Sequence, residues 1–274
     1  MNRTEYEILP EKKFSLGLDE LSHFRELIFF FTWRDIKIRY KQTVIGFAWA
    51  ILQPLLMMFV ITFTFGKMME GKTHLPYPLS IFIGLLLWNV FSSGVTNAGN
   101  SMLTNAHIIR KIYFPRLIIP LSSVFGSLFD FLVGLPLLIV MLAWYHFPFH
   151  PMNALIGIPS AILLTFLSTF AMGTLLAALT VKYRDFRYII PFLVQILFFI
   201  TPVIMPTRIV ENNALRFLLS CNPMTSAIEL FRCSFNGIWP DPQLLFASIS
   251  SSLILLVLAF YYFRKTETYF ADLA

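Results

Sequence analysis

Six stretches of this chain are each long and apolar enough to be a membrane-crossing helix, and nothing else in the sequence constrains the fold as strongly. They are residues 44–65, 79–95, 117–144, 154–181, 189–205 and 244–263. A helix needs about 20 mainly apolar residues to cross roughly 30 Å of hydrocarbon. In that medium an open sheet would leave backbone groups unpaired, so the expected fold is all-α. Composition agrees: the 274 residues are 57 % hydrophobic and only 13 % charged. A soluble domain carries about 25 % charged residues. Disorder and a soluble enzyme are excluded on that ground. Two cysteines, Cys221 and Cys233, are too few for a disulfide framework and are read as small hydrophobes.

An even number of spans puts both termini on one side. The segments then shared with the termini (1–43, 96–116, 182–188 and 264–274) hold 16 of the 21 Lys and Arg, against 5 in the segments opposite. Basic loops stay inside, so both termini are expected in the cytoplasm. The net charge of +6 is accordingly read as a topology determinant and not as a nucleic-acid surface. The first 28 residues carry six acidic side chains and have no basic-then-apolar start, so no secretory signal is expected there. The expected organisation is a cytoplasmic leader (1–43), a six-span domain (44–263) and a cytoplasmic tail (264–274).

The segments between the spans have character of their own. In the leader, Leu21, Phe24, Leu27, Ile28 and Phe31 recur at helical spacing opposite Glu20, His23, Arg25 and Glu26, the pattern of an amphipathic helix lying in the membrane interface. An amphipathic helix packed on protein has the same pattern. From Asn97 to Arg116 the chain is polar and then basic, predicting a short surface helix stopped by Pro115. Between the fifth and sixth spans, Asn222-Pro223 predicts a helix start and Asn236-Gly237 a helix stop. Residues 213–221 predict a second short helix, and the two together resemble half-helices dipping into the outer leaflet. Glu229 and Arg232, three apart, would share a face.

Catalytic chemistry is scarce. Asp130 is the one acidic residue well inside a span, and one carboxylate builds neither a two-metal nor an acid–base site. It is read as a structural carboxylate bonded to a neighbouring helix, or as a polar lining residue. His146 and His150 flank Pro148, which spoils a helical metal face. There is no GxxxxGK[ST] phosphate loop, so ATP is not bound by that route. No metal or cofactor is expected in this chain. Prolines at 54, 120, 136, 159, 191 and 202 would kink or break the spans. Among the aromatic residues, Trp88, Phe91, Phe198 and Phe199 are candidates to line a path with flat faces on which sugar rings stack.

Four motifs carry a resemblance. They are the run Arg34-Asp35-Ile36-Lys37-Ile38-Arg39-Tyr40-Lys41-Gln42-Thr43-Val44-Ile45-Gly46 with Trp49 and Gln53-Pro54, then Lys111-Ile112-Tyr113-Phe114-Pro115-Arg116, Tyr183-Arg184-Asp185-Phe186-Arg187-Tyr188, and Asn222-Pro223-Met224. In order and spacing the chain resembles bacterial polysaccharide-exporting ABC permeases of the type-2 class. That resemblance implies a homodimer of six-span subunits in the cytoplasmic membrane, powered by two copies of a separate ATPase subunit that holds ATP and Mg. It implies a polyprenyl-diphosphate-linked polysaccharide as substrate, O-antigen first, with teichoic acid or capsule as alternatives. A drug or small-lipid exporter would share the architecture, whereas an integral membrane transferase would need carboxylates that are missing. It further implies ATPase-coupling segments at Arg110, Lys111, Arg184, Asp185 and Arg187, and an outer gate at Asn222, Pro223, Glu229 and Arg232.

Overall fold

The computed structural model describes residues 23–41, 46–147 and 150–267. Among them every regular element is helical. Helix α1 (Arg25–Lys41) leads to α2 (Phe47–Met69), α3 (Tyr77–Thr104), the single turn α4 (Ala106–Ile109), α5 (Ile118–Trp144) and α6 (Pro151–Lys182). Then follow α7 (Phe186–Ile200), a 3-10 turn (Thr207–Ile209), α8 (Asn213–Ser220), α9 (Pro223–Asn236) and α10 (Pro242–Glu267). Five helices, α2, α3, α5, α6 and α10, are long and apolar enough to cross a membrane. The leader before residue 23, including Glu20 and Leu21, and the tail after 267 lie outside the described residues. So do Val44 and Ile45 of the first predicted span, and Pro148 and Phe149.

Local chemistry sets the ends of the short helices. Asn212 caps α8, its side-chain oxygen accepting from the backbone of Ala214 and Leu215. Asn222 caps α9 by accepting from Met224, with Pro223 in the first turn, and Gly237 closes that helix with φ of 73°. Only a residue without Cβ takes that left-handed conformation at no steric cost.

Helices α3 and α6 form the centre, packed on each other and flanked by α5, α9 and α10. Their crossing depends on small residues. A Cβ added at Gly173 would lie 2.7 Å from the Ala98 Cβ, and one at Gly94 would collide with Thr169. Close backbone approach through such residues is the usual means of helix association in lipid. By contrast α2 and α10 sit at the periphery with broad apolar faces uncovered, Phe63 among them at 85 % exposure.

One buried cluster joins Phe31, Phe114, Val181 and Phe263. The segments before α2, between α3 and α5, between α6 and α7, and at the end of α10 therefore gather at one end of the bundle, here the basic end. The N-terminal apolar face has its partner here: Phe24, Leu27, Ile28 and Phe31 pack on this cluster and on α5, so protein covers that face.

Two predicted spans depart most from their expected bounds. The second was expected to end at Val95 because the residues that follow are polar, yet α3 continues to Thr104. The fifth was expected to run from 189 to 205, but α7 stops at Ile200 after 15 residues. Pro202 disfavours the α conformation at the residue before it, and Thr201 is extended with ψ of 140°. Fifteen residues rise about 22 Å, short of the hydrocarbon thickness. The chain nevertheless runs beside α3 along its length. Ile190 faces Gly99, Phe198 packs on Trp88 with the rings tilted, Val203 meets Gly84, and the Tyr77 hydroxyl donates to the Ile204 carbonyl.

Candidate functional site

Helix α3 carries the most informative surface. Between Leu79 and Met102 six residues keep partial exposure, Asn89, Ser92, Ser93, Thr96, Asn97 and Asn100, and all six are polar. Every other residue in that interval is buried. The spacing places them on one stripe of the helix. Some hydroxyls and amides bond back to their own helix: Ser93 Oγ donates to the Asn89 carbonyl at 2.7 Å and Asn100 Nδ2 to the Thr96 carbonyl at 2.8 Å. Others remain available. Asn100 Oδ1 is buried with no partner, and the Asn89 and Asn97 side chains have no hydrogen bond among the described residues.

The stripe forms one wall of a groove. A cavity of about 700 Å³ is lined by Asn89, Ser93, Thr96 and Asn97 on one side, with Arg39, Trp49, Gln53 and Asp130 opposite. A second cavity of about 480 Å³ shares Arg39, Thr96 and Asn97 with it and continues past Asn100 and Thr104 towards His107 at the basic end. From Asn89 to Thr104 the helix rises about 22 Å, so the groove follows most of one hydrocarbon thickness.

Asp130 closes the groove on the α1 side. Arg39 Nη1 donates to its Oδ2 and the Tyr40 hydroxyl to its Oδ1. The intramembrane carboxylate is thus bonded to a neighbouring helix, and it ties the end of α1 to the middle of α5. Burial, with the hydrogen bond to Asp130 second, raises the Tyr40 phenol above its ordinary value and keeps it a donor. Thr32 Oγ1 adds a contact to the Ser122 carbonyl at 3.4 Å.

At the opposite end, the predicted gate residues take structural positions. Arg232 is fully buried and donates to three backbone carbonyls: Pro202 at 2.8 Å, Val203 at 2.8 Å and Ser80 at 3.1 Å. The first two belong to the stretch where α7 has broken, so the guanidinium serves acceptors that a continuous helix would have paired internally. Glu229 Oε1 lies 3.7 Å from Arg232 Nη1 and accepts from the Thr207 backbone at 3.0 Å and hydroxyl at 3.1 Å. Asn222 Nδ2 donates to Thr201 Oγ1 at 2.7 Å, and Ser248 Oγ to the Ser220 carbonyl at 2.6 Å. The α8–α9 turn is therefore held beside the broken end of α7, about 9 Å along α10 from its start.

The remaining sequence-predicted residues separate into two groups. Arg110, Lys111, Arg184, Asp185 and Arg187 are exposed at the basic end and form no ion pair among the described residues. Trp88 and Phe91 are core residues at 5 % and 2 % exposure, packed on each other and on Phe198, while Phe199 is 71 % exposed. The polar stripe on α3, together with Arg39 and Tyr40 as partners of Asp130, was not singled out from the sequence. The stripe had a signal there, since Asn89, Ser93, Thr96, Asn97 and Asn100 recur at three- and four-residue intervals. Both cysteines are free, Cys233 buried and Cys221 exposed.

Comparison with known proteins adds a finding of a different kind. The sequence pattern of the ABC-2 type transporter family matches residues 26–236. An O-antigen export system permease protein RfbA of Myxococcus xanthus is 31 % identical over 258 residues, covering 92 % of this chain and 97 % of that protein. A protein of the same name from Klebsiella pneumoniae is 29 % identical over 255 residues, 92 % of this chain and 96 % of its own. A polysialic acid transport protein KpsM of Escherichia coli is 20 % identical over 203 residues, 73 % and 77 % of the two chains.

Proposed function

The chain belongs to the ABC-2 type transporter family, and on that footing we propose that it is the membrane-spanning permease of an ATP-driven exporter whose cargo is a polyprenyl-diphosphate-linked polysaccharide, O-antigen in particular. The observation that carries the reading is the α3 stripe. A helix facing lipid would expose apolar side chains, whereas between Leu79 and Met102 this one exposes only amides and hydroxyls. Unpartnered amides in hydrocarbon cost several kcal/mol each, so this side faces water or a polar cargo. Amides, hydroxyls and the open indole of Trp49 match a glycan, which presents hydroxyls at its rim and apolar C–H faces for stacking.

In this reading residues 186–205 are the fifth of six passages, with bends and turns after the broken helix completing the crossing. Residues 1–43 and the end of α10 lie in the cytoplasm, and α8 and α9 dip from the outer side as a re-entrant pair. The subunit works as a homodimer in the bacterial cytoplasmic membrane, with two copies of a separate ATPase docking at the basic end against Arg110, Lys111, Arg184 and Arg187. A capsule polymer is the second reading, favoured by the KpsM relative but at lower identity and coverage.

The test is genetic and chemical together. Deleting the gene in its host should remove O-antigen from the surface and leave lipid-linked polymer inside the cell. Replacing Asn89, Ser93 and Asn97 together by alanine should preserve insertion and yet reduce export at least tenfold. Loss of capsule with intact O-antigen would transfer the assignment to the second reading. Unchanged surface glycans in the deletion strain would overturn the function altogether.

A further inference from the structure

The two cavities along α3 meet at one cation. Arg39, Thr96 and Asn97 line both, so the guanidinium stands where the cavity of Asn89, Trp49 and Gln53 passes into that of Asn100, Thr104 and His107. Asn97 lies seven residues before Thr104, where α3 ends, which puts the junction about 10 Å from the basic end of that helix. Arg34 also lines the second cavity, but it is engaged by Asp35 at 2.7 Å and by Asn105 at 2.8 Å. Arg39 is held less completely. It donates to Asp130 through Nη1, one nitrogen of its three, and its side chain keeps 31 % exposure against 17 % for the carboxylate. A guanidinium carries five N–H donors in a planar fork, a geometry that receives phosphate oxygens in pairs.

The surroundings suit an exchange of partners. The Tyr40 hydroxyl donates to the other oxygen of Asp130, so the carboxylate keeps a hydrogen bond when the ion pair opens. On the facing wall the Asn97 side chain forms no hydrogen bond among the described residues and is available to an incoming group.

We propose that Arg39 receives the diphosphate of the cargo, trading Asp130 for phosphate oxygens at the junction of the two cavities. The inference rests on the groove being the path of a polyprenyl-diphosphate-linked polymer, and adds to that reading where the charge is held. The order of chemistry along the groove selects the occupant. Amides, hydroxyls and the Trp49 indole line the first cavity, as a glycan requires, and the cation stands at its basic-end mouth, where the group joining glycan to lipid arrives. Asp130 has two effects there. It neutralises Arg39 while the groove is empty, and it competes with the bound anion, so the site is weakened enough to release what it has received. A transport site needs both entry and exit to be favourable.

The experiment measures binding of tritiated farnesyl diphosphate, a diphosphate on a short polyprenyl chain, to the full-length chain in phosphatidylcholine nanodiscs by scintillation proximity, with empty discs subtracted. Binding should saturate, and farnesol should compete poorly. Arg39→Gln should weaken binding by about tenfold or more, and Arg39→Lys should recover part of the loss. Asp130→Asn should act in the opposite direction and tighten binding about three- to tenfold, because it removes the internal competitor. A purely structural tie predicts the same sign for both variants, since each breaks the same contact. Binding that does not saturate, unchanged affinity in Arg39→Gln, or affinity unchanged or lowered in Asp130→Asn would overturn the proposal. So would equal competition by farnesol. Phosphatidylglycerol in the discs tests the other source of phosphate: displacement of the probe at equal concentration would assign Arg39 to ordinary headgroups and refute the diphosphate site. Should Arg39→Gln misfold, the Asp130→Asn titration decides alone. The probe carries no sugar, so this titration reads the site while the deletion strain reads the exported polymer, and the two readings can fail separately.

Discussion

Replacing Arg232 by methionine keeps much of the side-chain volume and removes all the donors that reach Pro202, Val203 and Ser80. A buried acceptor stripped of its partner costs about 1–3 kcal/mol, so three carbonyls set a scale of about 3–9 kcal/mol. The upper half of that range is unrealistic, because the non-helical 201–205 stretch can shift and admit water. Glu229 moderates the loss in the same direction, since it keeps two donors on Thr207 after the guanidinium is gone. An expected destabilisation of about 3–5 kcal/mol follows, in the range measured when one member of a buried ion pair is deleted. Lysine at this position keeps the charge but not the planar fork, so it should recover only part of that loss. Reversible unfolding of the purified chain in mixed micelles of rising SDS content measures the difference. Arg232→Met within about 1 kcal/mol of wild type would refute the reasoning, because the broken end of α7 would then be held by something other than this side chain.

Two further outcomes test the groove's closure and the central helix crossing. Asp130→Asn should loosen α1 by about 1–2 kcal/mol, a modest figure because Arg39 is partly exposed. The readout is several-fold slower disulfide formation between cysteines placed at Thr32 and Ser122; an unchanged rate would count against the tie. Gly173→Leu should prevent correct folding because the α3–α6 contact has no space for it, whereas Gly126→Ala, with open space around it, should be neutral or mildly stabilising. Comparison of monodisperse yield and thermal stability in detergent checks both.

How far the fold could be read from the sequence depended on whether the signal was local. Five of the six apolar stretches lie in helices long enough to cross a membrane and the fifth is helical only to Ile200, while the Asn222-Pro223 start and Gly237 stop of α9 followed from capping chemistry confined to neighbouring residues. The misjudged end of α3 shows the opposite. Averaged along the chain, Asn97, Asn100 and Asn105 look too polar for a span, but hydropathy counts residues without regard to the side they occupy. The helix continues because its polar stripe has a groove to face. Long-range partners were out of reach for a different reason. Asp130 meets Arg39 and Tyr40 across 91 and 90 residues, and no spacing rule connects positions so far apart. The aromatic residues were ambiguous in principle, since a ring that lines a path and a ring that fills a core have the same sequence signature. Trp88 and Phe91 fill the core.

Polar groups enter this apolar bundle in two ways, and the difference separates structure from function. Around Arg232 each strong donor has its acceptor: three carbonyls and a carboxylate surround the guanidinium, and the carboxylate is itself bonded to Thr207. A network completed within the protein has nothing to offer a passing molecule, and its effect is to fix the end of α7 against α3 and α9. Along α3 the accounting stays open. Asn89 and Asn97 find no protein partner among the described residues, and Asn100 keeps a buried carbonyl oxygen unpaired. Native proteins rarely leave such groups unsatisfied without a use for them, and a cavity of about 700 Å³ lies against this stripe. The mutational consequences must therefore diverge. Substitution at Arg232 should act on stability first and on transport only through it. Substitution along the stripe removes no internal bond at Asn89 or Asn97, so its effect should fall on what moves through the groove.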